Sequence, residues 1–171
     1  MSDLDLIETE RLVLSGWRVE QLDDLVLLHG DPRVAKYLSA SGEAWSRQQC
    51  AERLALWIEL FESQHMGKLR ATRKSDGVLV GRAGYGIHDS GEPEIGYALY
   101  PQFHGQGYAS EAAAALRDWI FRDTEWDHFI GFADVNNLPS RKVLRRIGMR
   151  ETHVEDYEGA LCQFHVLEKA L

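Results

Sequence analysis

The segment Tyr100-Pro101-Gln102-Phe103-His104-Gly105-Gln106-Gly107-Tyr108-Ala109-Ser110-Glu111-Ala112 constrains this chain more than any other. The run Glu94-Ile95-Gly96-Tyr97-Ala98-Leu99-Tyr100 predicts a strand, and Pro101, with no N–H to give to a ladder, stops it. Beyond the loop, Ala112, Ala115, Leu116, Trp119 and Ile120 recur at helical spacing, so a helix opens near Tyr108. Glu111 falls in its first turn, where the helix dipole favours an acid. A first helical turn also carries unpaired N–H groups, and this suits a phosphate. Gly105 and Gly107 would let the backbone approach such an anion with no side chain in the way. No Gly-Lys-Ser/Thr follows, which excludes a loop built for nucleotide triphosphates. The same residues also describe a plain glycine-rich turn, and on physics alone both readings stand.

The rest of the chain supplies the fold class. Arg11 to Leu14 reads as a strand, and Leu22, Leu25, Val26 and His29 as a helix interrupted by Asp31-Pro32. Ser46 caps a longer helix whose stripe is Cys50, Leu54, Trp57, Ile58 and Phe61, with core packing as the role of its aromatics. Lys68 to Lys74 alternates, Ser75-Asp76-Gly77 turns, and Val78 to Ile87 resumes as a strand before a polar loop from His88 to Pro93. Gly81, Gly84 and Gly86 lie inside that strand with no helix behind them, so they mark a bulge or a close backbone approach rather than a dinucleotide fingerprint. Phe129 to Val135 is a strand, Asn137 to Ile147 a short helix ended by Gly148, and the tail from Arg150 two strands around Glu158-Gly159. This order predicts an α+β fold around a mixed, largely antiparallel sheet, with one parallel pair where a helix crosses over. A length of 171 residues, without linkers or repeats, predicts a single domain over 1–171.

Composition narrows the function. Lys and Arg number 19 against 27 Asp and Glu, for a formal net charge of −8, and this argues against a nucleic-acid binder. No apolar run approaches the roughly 18 residues that span a bilayer, and the acidic Met1-Ser2-Asp3-Leu4-Asp5 opening is not a signal peptide. Cys50 and Cys162 stand alone, so neither a disulfide framework nor a structural zinc site is expected. A reduced, cytoplasmic protein without membrane association is the expectation. A homodimer is compatible with everything in the sequence.

His104-x-x-Gly107-x-Ala109 resembles the Q/R-x-x-G-x-G/A acetyl-CoA motif of the GNAT N-acetyltransferases. With Glu94-Ile95-Gly96-Tyr97 ahead of it and Ser110-Glu111-Ala112 behind, it looks like the branch of ribosomal-protein alanine acetyltransferases, the RimJ/RimL type. Thr9-Glu10-Arg11-Leu12-Val13-Leu14 is similar to that branch's opening strand, and Asn137 to Met149 to its N-x-x-S-x-x-V…G-F segment. His104 stands where Arg, Gln or Trp is usual, and Met149 where Phe is. The resemblance implies the GNAT fold, with acetyl-CoA as co-substrate in a cleft between splayed strands that end near Leu99 and Asp134. Backbone groups of Leu99 and Tyr100 would meet the pantetheine arm, and the Leu99 N–H would polarise the thioester carbonyl. Donors from His104, Gly105, Gln106, Gly107, Tyr108 and Ala109 would hold the pyrophosphate. Asn137 would meet the pantetheine or the acceptor, although Asn before Leu-Pro-Ser is equally a good helix N-cap. Ser140 matches the position that protonates the departing thiolate.

Glu94 is the candidate general base. An attacking amine must be neutral, and a carboxylate near the cleft could take its proton through a water. By alternation Glu94, Gly96 and Ala98 share a strand face, and the small neighbours would leave room above the carboxylate. The ordinary reading is a solvated Glu at a strand start. His29 and His165 sit on core-facing patterns, His88, His128 and His153 at loops or strand ends, and none pairs at a metal-ligand spacing. Tyr157 is expected to pack, with the acceptor pocket as its other role. The sequence thus points to an acetyl-CoA-dependent enzyme that acylates a primary amine, either a protein N-terminus or a small molecule. Overall charge and the Glu94 carboxylate favour a cationic acceptor over an acidic one. The alternative is an acyl-CoA-sensing module of the same fold without turnover.

Overall fold

The computed structural model describes residues 3–38 and 41–171. Met1 and Ser2 of the acidic opening lie outside the described residues. In chain order the elements are β1 (Asp5–Glu8), β2 (Leu12–Ser15), α1 (Leu22–His29), α2 (Pro32–Ala35), α3 (Arg47–Gln64), β3 (Gly67–Arg73), β4 (Leu79–Ile87), β5 (Pro93–Leu99), α4 (Tyr108–Asp123), β6 (His128–Asp134), α5 (Leu138–Arg146), β7 (Arg150–Tyr157) and β8 (Ala160–Glu168). Among the described residues these strands form one eight-stranded sheet in the order β1-β2-β3-β4-β5-β6-β8-β7. Neighbours run antiparallel except β5 and β6, which are parallel and joined through α4. The α+β fold with a largely antiparallel sheet is therefore as the sequence predicts.

The local signals act as expected. The Ser46 side chain accepts from the Gln49 N–H and Gln49 reaches back, a reciprocal cap that fixes the start of α3. Asn137 caps α5, with Pro139 in its first turn. Two short elements carry no sequence signal of their own, α2, where Asp31-Pro32 reads as a break but Asp31 caps a single turn, and β1. The four residues of β1 bury one side chain, Ile7, and it exists because β2 offers Val13 to Ser15 as a partner.

Apolar layers cover both faces of the sheet. On one, α4 packs Ala112, Leu116, Trp119 and Ile120 against Ala83, Tyr85, Ile95 and Phe129, with the Tyr85 ring stacked on Trp119. On the other, α1 and α3 bring Leu25, Leu28, Leu54 and Trp57 to Ala98 and Trp17. No helix among the described residues is long and apolar enough to cross a membrane.

Two features of the sheet position the site. First, β5 and β6 pair only at Glu94↔Ile130 and Ile95↔Gly131, although β5 continues to Leu99 and β6 to Asp134. Beyond that point the strands part. Second, the glycines of β4 let neighbouring backbone come close, beside a register shift at Ala71/Thr72. A Cβ at Gly84 would lie 2.0 Å from the Gly67 carbonyl oxygen. Gly84→Ala should consequently destabilise the fold by ~2 kcal/mol or more, the upper part of the usual range for overpacking. Urea unfolding checks this, and an unchanged midpoint would mean that β3 and β4 separate at little cost.

Candidate active site

The turn ahead of α4 is built on two left-handed glycines, Gly105 at φ 73° and Gly107 at φ 82°, the latter as the helix N-cap. A side chain at Gly105 would meet nothing within 4 Å, so the loop stands open. Its helical N–H groups are those that lack an intrahelical partner. An unpaired N–H cradle with open space over Gly105 fits a phosphate.

Arg11, which the sequence reading placed only in the opening strand, locks this turn. Its Nη1 donates to the Gln106 carbonyl at 2.9 Å and its Nε to Glu111 Oε2 at 2.7 Å. The guanidinium lies 4.3 Å from the centre of the Tyr108 ring. Glu111 Oε1 accepts from the Arg11 N–H and the Thr9 hydroxyl. The carboxylate at the start of α4 thus clamps the turn to the edge of β2.

His104 and Tyr100 behave differently from expectation. His104 Nε2–H donates to the Leu99 carbonyl at 3.0 Å, and its backbone N–H to Pro101 O at 3.1 Å. Both donors are engaged inside the turn, so His104 supports the cradle from behind instead of facing an anion. The Tyr100 N–H donates to Val80 O, and its hydroxyl to the Asp24 carbonyl at 2.6 Å. Tyr100 therefore anchors β5 to β4 and α1. Because N–H directions alternate along a strand, the Leu99 N–H points the other way, toward the gap between β5 and β6. The Gln106 side chain turns back to Gln102 O, leaving only its backbone for a ligand.

Where β5 and β6 part, the structure brings Glu94, Asn137, Ser140 and Tyr157 to one cleft of about 240 Å³. Asn137 Oδ1 accepts from the Ser140 N–H at 3.4 Å, so the capping role is realised. The Ser140 hydroxyl donates to Tyr97 Oη at 3.1 Å, and the Tyr97 hydroxyl to the Ser140 carbonyl at 2.8 Å. Burial raises the Tyr97 pKa, which keeps the phenol a proton-bearing donor. Tyr97 joins β5 to α5 across the opening, a role the strand pattern gave no sign of. Tyr157 lines the same cleft and packs on Phe132, with ring centres 4.8 Å apart.

The room expected above Glu94 is filled. Register aligns Lys68 with Gly84 and Gly84 with Gly96, which puts all three on the face of Glu94. The Lys68 side chain lies across this glycine trough, and its Nζ donates to Glu94 Oε2 at 3.0 Å, Glu94 O at 3.2 Å and Gly84 O at 3.5 Å. A Cβ at Gly96 would come within 2.6 Å of that Nζ. Burial lowers the Lys68 pKa, opposed by the Glu94 charge. Glu94 is thus an ion-paired carboxylate rather than a solvated one. The glycines at 84, 86 and 96 were the available signal, since three small residues on one sheet face leave space for one long chain.

Arg82 stands on the same face, paired with Ala98 in register, and its Nε donates to His29 Nε2 at 3.0 Å. His29 is buried, as its pattern predicted, and burial pushes its pKa down to about 2, so it is a neutral acceptor. His165 is buried as well, whereas His153 sits within β7 and stacks on Phe164 instead of ending a strand. Among the described residues no group of three or more His, Cys, Asp or Glu is placed to hold a metal ion. A larger hollow, about 890 Å³, runs beside His128, His153 and Leu171 and shares no residue with the cleft or the glycine turn.

Residues 11–150 match the family described as "Acetyltransferase (GNAT) domain". An uncharacterised N-acetyltransferase, p20 of Bacillus licheniformis, is 28% identical over 160 residues, covering 92% of this chain and 89% of that protein. The solved ribosomal-protein-S5-alanine acetyltransferase from Vibrio fischeri superposes with a TM-score of 0.76 at 16% identity, covering 98% of this chain and 97% of the other. The Microcin C7 self-immunity acetyltransferase, solved with acetyl-CoA and AMP, superposes with a TM-score of 0.80 at 15% identity over 98% of this chain and 97% of its own.

Proposed function

This chain belongs to the GNAT family of acetyl-CoA-dependent N-acetyltransferases, and from that premise we propose that it acylates a primary amine by direct attack in a ternary complex. The amine is a protein N-terminus or a small molecule, and residues 1–171 act as one catalytic unit with a cytoplasmic location. The observation that carries this reading is that Glu94, Tyr97 and Ser140 line one cleft where β5 and β6 part.

Acetyl-CoA, when bound, supplies the activated acetyl group as a thioester. N–H groups from Gly105 to Ala109 hold its pyrophosphate at the positive end of α4, with Arg11 and Glu111 fixing the turn. The Leu99 N–H, facing the gap, orients the thioester carbonyl. Lys68 occupies Glu94 Oε2, and Oε1 receives the amine's proton through a relay of waters, since Glu94 lies about 17 Å along β5 from Leu99 at the usual strand rise. Ser140 delivers a proton to the departing sulfur and regains one from solvent, its hydroxyl oriented by Tyr97 Oη. A thiol of pKa about 8.5 leaves tolerably unaided, so that last contribution is small. The reaction asks for no metal. The alanine-acetylating neighbour from Vibrio fischeri supports a protein N-terminus as acceptor, and the small cleft supports a small amine.

The test is release of free thiol from acetyl-CoA across a panel of N-terminal peptides, amino acids, polyamines and aminoglycosides. Amine-dependent release with a mass increase of one acetyl group is expected. CoA binding without turnover on any member would favour the sensing module.

A further inference from the structure

The cleft does not share the acidic excess of the chain as a whole: three cations and three carboxylates line it, and two of the cations are buried in its floor. Lys68 and Arg82 are buried, with 8% and 5% of their surfaces exposed, and Arg53 of α3 adds a third cation at the rim. Glu94 offsets the charge of Lys68. Arg82 shares the Glu94 charge only at longer range: its Nε meets a neutral histidine, its guanidinium lies 5.1 Å from the Trp57 ring centre, and among the described residues no carboxylate lies within ion-pair distance of it. Arg53 stands 5.4 Å from the centre of the Trp45 ring, which is itself stacked on His29 at 3.8 Å. The acidic residues of the same lining, Asp134 and Glu158, are half-buried and exposed respectively.

A buried guanidinium with no carboxylate in contact is better satisfied when a bound anion completes it, and its planar fork matches a carboxylate or a phosphate. We propose that the acceptor of this enzyme is a small amine bearing one anionic group, a carboxylate or a phosphate, which docks against Arg82 with Arg53 at the rim while its amine faces Glu94. This rests on the acetyltransferase reading above and narrows its acceptor. It also reverses the preference for cationic acceptors drawn from overall charge, because a field inside a low-dielectric cleft is set by the nearest groups. The volume of about 240 Å³ is just below the usual range for a ligand site, which favours a free amino acid or aminoalkyl phosphate over a larger acceptor.

Matched pairs test it: tyrosine against tyramine, and phosphoethanolamine against ethanolamine, each followed by thiol release with acetyl-CoA. The anionic member should have a kcat/KM ~10- to 100-fold higher, as one charge-assisted contact provides. In Arg82→Gln that gap should close while CoA affinity is unchanged. If Arg82→Gln does not fold, Arg53→Gln should narrow the gap in part. A second readout needs no turnover: inorganic phosphate should raise the melting temperature of the CoA-saturated protein, and less so in either variant. Equal rates within each pair, or a gap and a phosphate shift that survive both substitutions, would overturn the proposal. So would preference for an acidic peptide over every free amine, which would place the anion on a protein partner. Loss of CoA binding in the unaltered protein would instead sink the acetyltransferase reading, and the phosphate shift would still score Arg82 separately.

Discussion

Gly107→Val should reduce CoA affinity ~100-fold or more, from the loss of two or more charge-assisted N–H contacts. Gly107 is the N-cap of α4 at φ 82°, a conformation that a β-branched residue adopts only with strain. A Cβ there would also lie 3.3 Å from Arg11 Nη2, the group beside the one that holds the Gln106 carbonyl. The substitution therefore turns the N–H groups and disturbs the clamp together. Calorimetric titration with CoA measures the effect, and circular dichroism confirms that α4 still forms. Gly105 is a useful comparison, since a side chain there meets open space and only its backbone conformation resists. Unchanged affinity in a folded Gly107→Val protein would remove the pyrophosphate assignment of this turn.

Glu94→Gln should lower kcat ~10²- to 10⁴-fold, the usual contribution of a general base, with CoA affinity retained. The loss should shrink at high pH, where more of the amine is already neutral. It should be smaller for an α-amine, with a pKa of about 7.7–8.0, than for a lysine-like amine near about 10.4. The ion pair with Lys68 adds a competing cause, because a neutral Gln leaves a buried ammonium without its counter-ion. The double variant Lys68→Met/Glu94→Gln separates the two. Were stranded charge responsible, removing the ammonium would restore turnover; were basicity responsible, the double variant stays slow. Full activity of Glu94→Gln from pH 6 to 9 would return Glu94 to a structural role.

Much of this molecule was legible in order. The stripe Cys50, Leu54, Trp57 and Phe61, the Ser46 cap, the Asn137 cap and the glycines at 105 and 107 are all signals spanning a few residues, and each formed the element its spacing implied. Such signals survive in sequence because backbone conformation and helical or strand periodicity are local properties. The short β1 was not legible, since four residues with one buried side chain carry no period.

The cleft was legible only in part. Alternation correctly placed Glu94, Gly96 and Ala98 on one face, yet it read the small residues as empty room. What fills that room is Lys68, 26 residues away in sequence, brought there by the β3–β4–β5 register. The clamp of Arg11 on Glu111 closes over 100 residues, and Arg82 meets His29 over 53. Each contact depends on which strands become neighbours and how they align, and a slip of one residue would turn every one of these side chains to the other face. The sequence by itself determined most of the elements, the two-glycine turn ahead of α4 and the candidate base. The tertiary structure alone decided the charge of the cleft, because a charge acts through space on whatever folding brings beside it.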